Sequence, residues 1–289
     1  MEDKTKGMIA IMAASFFWAI EPIFAKLAYA NSDFIQASAI RATFSCIIAI
    51  FYVTVINKSD LKIKGKYLIK IFYIGIVGTL VGDLLYLFSL TKIPVINAVL
   101  IGHIQPVFII MLGFFLLKED KLNKYDFTGI FLMIFSAFLV TTGTFQNFLS
   151  MKFGTSGDLF VLLATFAWAT TAIVGRKYLT GINAGVLTFY RFLIASFPLL
   201  IYLALNSKLY LANIYQIFLG FIGGTGTILY YEGLKRIKAA QVSAIELSTP
   251  FFSSILSFFI LGETLTPLQI SGIFLLLAGI YFLSKKEEN

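Results

Sequence analysis

Residues 230–263 read YYEGLKRIKAAQVSAIELSTPFFSSILSFFILGE, and residues 86–119 read YLFSLTKIPVINAVLIGHIQPVFIIMLGFFLLKE. The two stretches align without a gap at a constant offset of 144 positions. Leu90 falls with Leu234, Lys92 with Arg236, Ile93 with Ile237, Pro106 with Pro250, and Glu119 with Glu263, while Phe114 and Phe115 fall with Phe258 and Phe259. Each copy is a tyrosine-ended apolar segment, a short basic break, a second apolar segment with a mid-span proline, and a closing glutamate. A self-match of this length argues for duplication. The match extends to both sides. At an offset of 150, Phe16-Phe17-Trp18-Ala19 falls on Phe166-Ala167-Trp168-Ala169, Lys26 on Arg176 and Arg41 on Arg191. At an offset of 143, Gly129-Ile130-Phe131 falls on Gly272-Ile273-Phe274.

The 289-residue chain is 58% hydrophobic and 13% charged. A soluble chain carries about 25% charged residues, so this one lacks the polar surface to cover itself and reads as an integral membrane protein. Apolar runs of about 20 residues are long enough to span a bilayer as helices. Ten such runs occur, at 7–28, 34–56, 68–91, 94–117, 127–144, 157–177, 183–206, 213–234, 239–261 and 266–284. The expected fold is therefore all-α, with ten transmembrane helices. The first half covers 1–145 and the second 157–289, joined by an outer linker at 146–156. Five spans per half is an odd number, so the second half enters from the opposite side and the repeats are inverted. That architecture belongs to alternating-access transporters, whose substrate site lies between the halves near the midplane. Ala28-Tyr29-Ala30 resembles a signal-peptide cleavage site, but the first run is too long for one and contains Glu21, so it is expected to stay.

Lys and Arg are unevenly divided between alternate loops. One side holds 17 of the 23, including both termini, and the other holds 3. Positive residues stay cytoplasmic, which predicts a multi-pass protein of the inner (cytoplasmic) membrane with both ends inside. The net charge of +8 and pI near 9.4 then read as topology signals and contacts for anionic lipid, with no nucleic-acid partner. The single cysteine, Cys46, and single histidine, His103, predict no disulfide and no metal site. No HExxH, GxSxG or phosphate loop occurs, so neither an enzyme nor a cofactor is expected.

The FxWA openings, the mid-span Pro106 and Pro250, and a closing glutamate followed about ten residues on by glycine (Glu119 with Gly129, Glu263 with Gly272) resemble the drug/metabolite transporter superfamily, EamA-like branch, over essentially the whole length. The resemblance implies a secondary transporter of a small-molecule substrate, commonly an exporter of amino acids or other metabolites; uptake or exchange of a cationic nutrient or a sugar nucleotide in the same fold is the alternative, and a monomer or homodimer is expected. It also implies that the first, third and fourth helices of each repeat line a central cavity.

Charged residues inside spans usually face a cavity or a partner. Counting about 1.5 Å per residue places Glu21, Arg41 and Asp83 at one depth in the outer third, with Lys26 a turn further out. The same count places Arg191 and Glu246 toward the cytoplasmic side, with Glu232 nearer the surface. Two clusters, above and below the midplane, read as a pair of gates, or else as fixed pairs that pin helices. Glu246 is the leading candidate for substrate contact or proton coupling, because it lies a turn before Pro250, where the proline frees a carbonyl. His103 lies a turn before Pro106 and reads as either a core residue or a titratable one. Trp18, Trp168, Tyr86, Tyr230 and Tyr231 are candidate cavity walls or interfacial residues. The glycines of 78–82 and 220–226 fit close helix packing or an unwound cavity segment.

Overall fold

A computed structural model describes residues 2–56, 61–114, 124–179, 181–237, 242, 245–246 and 248–284. Helices occupy all ten expected positions, and no strand occurs among the described residues. Span 1 is Glu2–Ala28, and span 2 is Phe34–Phe51 with a π-helical continuation, Tyr52–Ile56. Span 3 runs from Gly65–Tyr73 through a π-helical centre, Ile74–Asp83, to Leu84–Ser89. Span 4 is broken into Val95–Gly102 and Gln105–Leu112. Span 5 is Lys124–Thr142, span 6 Ser156–Tyr178, span 7 Ala184–Leu205 and span 8 Ile214–Leu234. Spans 9 and 10 contain Ser248–Leu261 and Pro267–Ser284. Spans 1 to 7 each have the length and apolar composition to cross a membrane, and the last two are shorter apolar helices. Glu119, the closing glutamate of the first repeat, lies outside the described residues. The short helix Phe145–Leu149 begins at the edge of the expected linker.

Local sequence sets the helix starts. Asp33 caps span 2 by accepting a hydrogen bond from the Gln36 amide at 2.8 Å. Asn183, 150 residues later, does the same for span 7 through the amides of Gly185 and Val186. Thr155 and Asp158 form a reciprocal capping box at span 6. Pro106 sits in the first turn of Gln105–Leu112, where its missing N–H costs no helical bond, and the helix before it ends at Gly102.

The principal helix contacts join the two halves. Span 1 packs on span 8 as span 6 packs on span 3; span 2 packs on span 8 as span 7 packs on span 3; span 1 packs on span 9 as span 6 packs on span 4. Spans 2 and 7, 4 and 9, and 5 and 10 pack on one another. Exchanging the halves maps this pattern onto itself, as a duplicated, inverted architecture requires. Spans 5 and 10 meet through glycine. A Cβ at Gly129 would collide with Leu283 and the Gly279 carbonyl, and one at Gly279 with Met133 and the Gly129 carbonyl. Ser136 Oγ donates to the Gly272 carbonyl at 2.6 Å across the same contact. Large apolar side chains such as Phe131, Phe197, Phe251, Phe259 and Phe274 point outward. Apolar exposure on this scale marks contact with lipid.

Candidate functional site

The first, third and fourth spans of each half enclose one cavity of ≈ 200 Å³, with Arg41 of span 2 and Arg191 of span 7 also reaching its wall. On the side of the termini its lining extends to Gly175, Leu234 and Val242, at the ends of spans 6, 8 and 9. On the opposite side it reaches Leu87 and Ala98, within three residues of the ends of spans 3 and 4.

A buried ionic network forms one wall. Arg41 Nε donates to Glu21 and its Nη1 to Asp83 Oδ2 at 2.9 Å. Arg191 Nη2 donates to Asp83 Oδ1 at 3.2 Å, and its Nε donates to Thr79 Oγ1 at 2.7 Å. Trp168 Nε1 donates to Asp83 Oδ1 at 2.8 Å and to the Gly78 carbonyl at 3.1 Å. The expected separation into an upper and a lower cluster is therefore corrected. Arg191 joins Arg41 on a single carboxylate.

The repeat register supplies the reason. At the offset of 150, Glu21 falls on Thr171, and at 144, Asp83 falls on Thr227. The duplication keeps both arginines but places both acids in the first half. Arg191 has no carboxylate at the positions equivalent to Arg41's partners, and Asp83 serves both. Buried charge persists only when paired, and two guanidiniums with two carboxylates make the network neutral. The π-helical turn that carries Thr79 and Asp83 packs on spans 6 and 7, which brings both to Arg191. Such bulges cluster at functional sites.

The aromatic walls follow the same symmetry. Trp18 lies against Tyr230, ring centroids 5.0 Å apart, and Trp168 lies against Tyr86 at 5.2 Å. Each pair takes one residue from each half. A glycine makes room for each indole: a Cβ at Gly82 would press on Trp168 Nε1, and one at Gly226 on Trp18 Nε1. Those two glycines are themselves 144 positions apart. Tyr231 extends the Trp18 side, its ring 5.7 Å from that of Tyr230.

Glu246 and His103 line the cavity, His103 at the break in span 4. His103 Nδ1 lies 2.7 Å from the Val99 carbonyl oxygen, and its side chain also bonds the main chain of Glu246. Pro106 and Thr249 line the same space, and Pro250 is buried in the first turn of Ser248–Leu261.

Two residues expected near these groups lie elsewhere. Lys26 pairs with Glu263 at 3.1 Å, and Glu263 also accepts from the amides of Val95 at 2.9 Å and Ile96 at 3.2 Å. A carboxylate on two amides at a helix N-terminus is stabilised by the helix dipole. This contact ties spans 1, 4 and 9 together on the side away from the termini. Glu232 pairs with Arg236 and Lys235 at the other end, and not with Arg191. Thr79, Thr171 and Thr227 went unremarked in the sequence. Reading the repeat register at Glu21 and Asp83 would have found the latter two.

A crystal structure of another protein superposes with a TM-score of 0.68 over 99% of both chains, at 15% identity, which establishes a shared fold. The chain is 27% identical to an uncharacterized transporter of Methanothermobacter thermautotrophicus over 96% of its own length and 85% of that protein. It is 26% identical to the riboflavin transporter ImpX of Fusobacterium nucleatum, covering 79% of this chain and 80% of that one. The sequence pattern of the EamA-like transporter family matches residues 5–142 and 155–285. With both repeats matched and a cavity between them, the chain belongs to the EamA-like transporter family, and it is a multi-pass membrane transporter of a small molecule rather than an enzyme.

Proposed function

We propose that the chain carries a small metabolite across the cytoplasmic membrane by alternating access, with both termini cytoplasmic and with export of amino acids or related compounds as its task. One observation carries this reading: a single cavity lined by equivalent spans of the two repeats, with the Lys26–Glu263 contact lying beyond its Leu87 and Ala98 end. Exchanging the roles of two such repeats would open a shared site first to one side and then to the other. The network of Arg41, Glu21, Asp83 and Arg191 crosses the interface between halves and supplies contacts that reform in the second state.

A cavity of ≈ 200 Å³ lies below the usual range of about 300–1,000 Å³ for drug-sized ligands, which favours a molecule of amino-acid size. A second reading, transport of a planar heteroaromatic compound, draws on the two Trp/Tyr walls and on the relative named a riboflavin transporter. Thermal stabilisation of the detergent-purified protein across amino acids, amines and riboflavin separates the two, because a ligand that binds only the folded state raises the melting temperature. An amino acid or amine that stabilises the protein and is moved into proteoliposomes supports the first reading. Riboflavin alone doing both replaces it with the second.

A further inference from the structure

We propose that this cavity holds its substrate by an acceptor oxygen, a carboxylate or a carbonyl, between the indole N–H of Trp18 and the hydroxyl of Thr227. The proposal rests on the cavity being the substrate site and adds the group that the substrate must carry.

The two Trp/Tyr walls are alike in their rings and unlike in what their indoles hold. A Cβ on Gly82 would lie 2.8 Å from Trp168 Nε1, and the next residue, Asp83, accepts from that nitrogen at 2.8 Å. A Cβ on Gly226 would lie 3.2 Å from Trp18 Nε1, and the next residue there is Thr227. The duplication thus sets a threonine at the position from which an aspartate serves the other indole. A threonine oxygen sits one atom nearer the backbone than an aspartate oxygen. Span 8 is also α-helical at this point, where span 3 is π-helical. Among the described residues Trp18 Nε1 donates to no acceptor, and the Thr227 hydroxyl makes no hydrogen bond. Thr165, Thr171 and Thr188 each donate to a carbonyl of their own helix at 2.8–2.9 Å, but Thr227, only 4% exposed, does not. Both groups line the cavity. A buried indole N–H normally finds a partner, and a buried polar group without one is costly. A substrate oxygen supplies what Asp83 supplies to Trp168: one lone pair accepts from Trp18 and another from Thr227. An ammonium group has only donors and cannot take the Trp18 N–H.

The test compares phenylalanine and riboflavin, which carry a carboxylate and ring carbonyls, with phenethylamine, which is phenylalanine without its carboxylate. Binding to the whole chain in detergent is measured by isothermal titration calorimetry. At least one of the two oxygen-bearing compounds is expected to bind about tenfold more tightly than phenethylamine. Phenylalanine as the tighter of the two identifies the acceptor as a carboxylate, and riboflavin identifies it as a ring carbonyl. Thr227→Val keeps the side-chain shape and removes the hydroxyl, while Trp18→Phe keeps a ring and removes the N–H. Each is expected to weaken that compound about tenfold, measured on protein with a single cooperative melting transition. Thr227→Val should also leave the melting temperature of the ligand-free protein unchanged, because it removes no bond within the protein. If Trp18→Phe does not fold, Thr227→Val decides. Phenethylamine binding as tightly as both other compounds, no binding of either oxygen-bearing compound, or affinity unchanged in either folded variant overturns the proposal. So does a ligand-free melting temperature several degrees lower in Thr227→Val, which would show the hydroxyl already engaged. An oxygen-bearing compound that binds as expected but is never moved into liposomes leaves this proposal standing and removes the transport reading. Saturable flux of phenethylamine, undiminished in both variants, does the reverse.

Discussion

Arg191 and Asp83 stand 108 positions apart, in opposite repeats, yet form a buried ion pair at 3.2 Å. Because Arg41 holds the other oxygen of the same carboxylate, Asp83 keeps two guanidiniums from facing each other unscreened. Asp83→Asn should therefore cost about 3–5 kcal/mol, the penalty for leaving buried charge uncompensated. Thr227→Asp restores an acid at the repeat-equivalent position, and the double variant should regain part of the lost melting temperature. A Thr227→Asp change that destabilises equally in both backgrounds would show that the two positions are not interchangeable.

The Lys26–Glu263 contact should keep the side away from the termini closed. Glu263→Gln removes the charge that holds both Lys26 and the Val95 and Ile96 amides. With Cys46, the only cysteine, replaced by serine, a probe cysteine at Leu87 marks that end of the cavity. Its labelling by a membrane-impermeant maleimide from that side should accelerate severalfold in Glu263→Gln. Unchanged labelling would mean that the contact ties helices without gating.

Outside the membrane, Asp33 and Lys208 join the halves by an ion pair. Partial burial alone would raise the Asp33 carboxyl, but the Lys208 ammonium and the Gln36 amide together hold it below its ordinary 3.8. Asp33 in turn raises Lys208 above its ordinary 10.5. The stabilisation is therefore complete between those two ordinary values. It is lost as pH falls through the lowered Asp33 value or rises through the raised Lys208 value. Both groups are partly exposed, so the amplitude is small and salt-dependent. The melting-temperature difference between wild type and Asp33→Asn should be level across neutral pH and shrink toward zero as pH falls through the lowered Asp33 value.

Spans 5 and 10 approach through Gly129, Gly272 and Gly279. Gly279→Val forces a branched side chain onto Met133 and the Gly129 backbone. Overpacking of this kind costs about 1–3 kcal/mol. Gly65→Ala, where a Cβ meets nothing within 4 Å, is the matched control and should leave the melting temperature unchanged.

The fold was legible because duplication writes each span twice, and a gapless register over Tyr86–Glu119 and Tyr230–Glu263 is hard to misread. The grouping of Glu21, Arg41 and Asp83 at one depth was legible for a related reason, since a helix converts residue count into distance. Depth alone misassigned Arg191. A guanidinium reaches along and across helices, and the acid that holds it comes from the other half. The same count set Lys26 a turn further out but gave no partner there, because Glu263, at the far end of span 9, comes from the other half. Which side chains close on one another across the interface depends on helix rotation, which the apolar pattern of a membrane segment encodes only weakly. The π-helical centre of span 3 was foreshadowed by its glycines, though its turn geometry was not.

The most direct measurement is counterflow in proteoliposomes, using whichever compound stabilises the purified protein. Vesicles preloaded with the unlabelled compound should take up trace labelled compound faster than empty ones, saturably, and only when they contain protein with Glu246 intact. Uptake that is linear in concentration and equal in protein-free vesicles would contradict alternating access through this cavity.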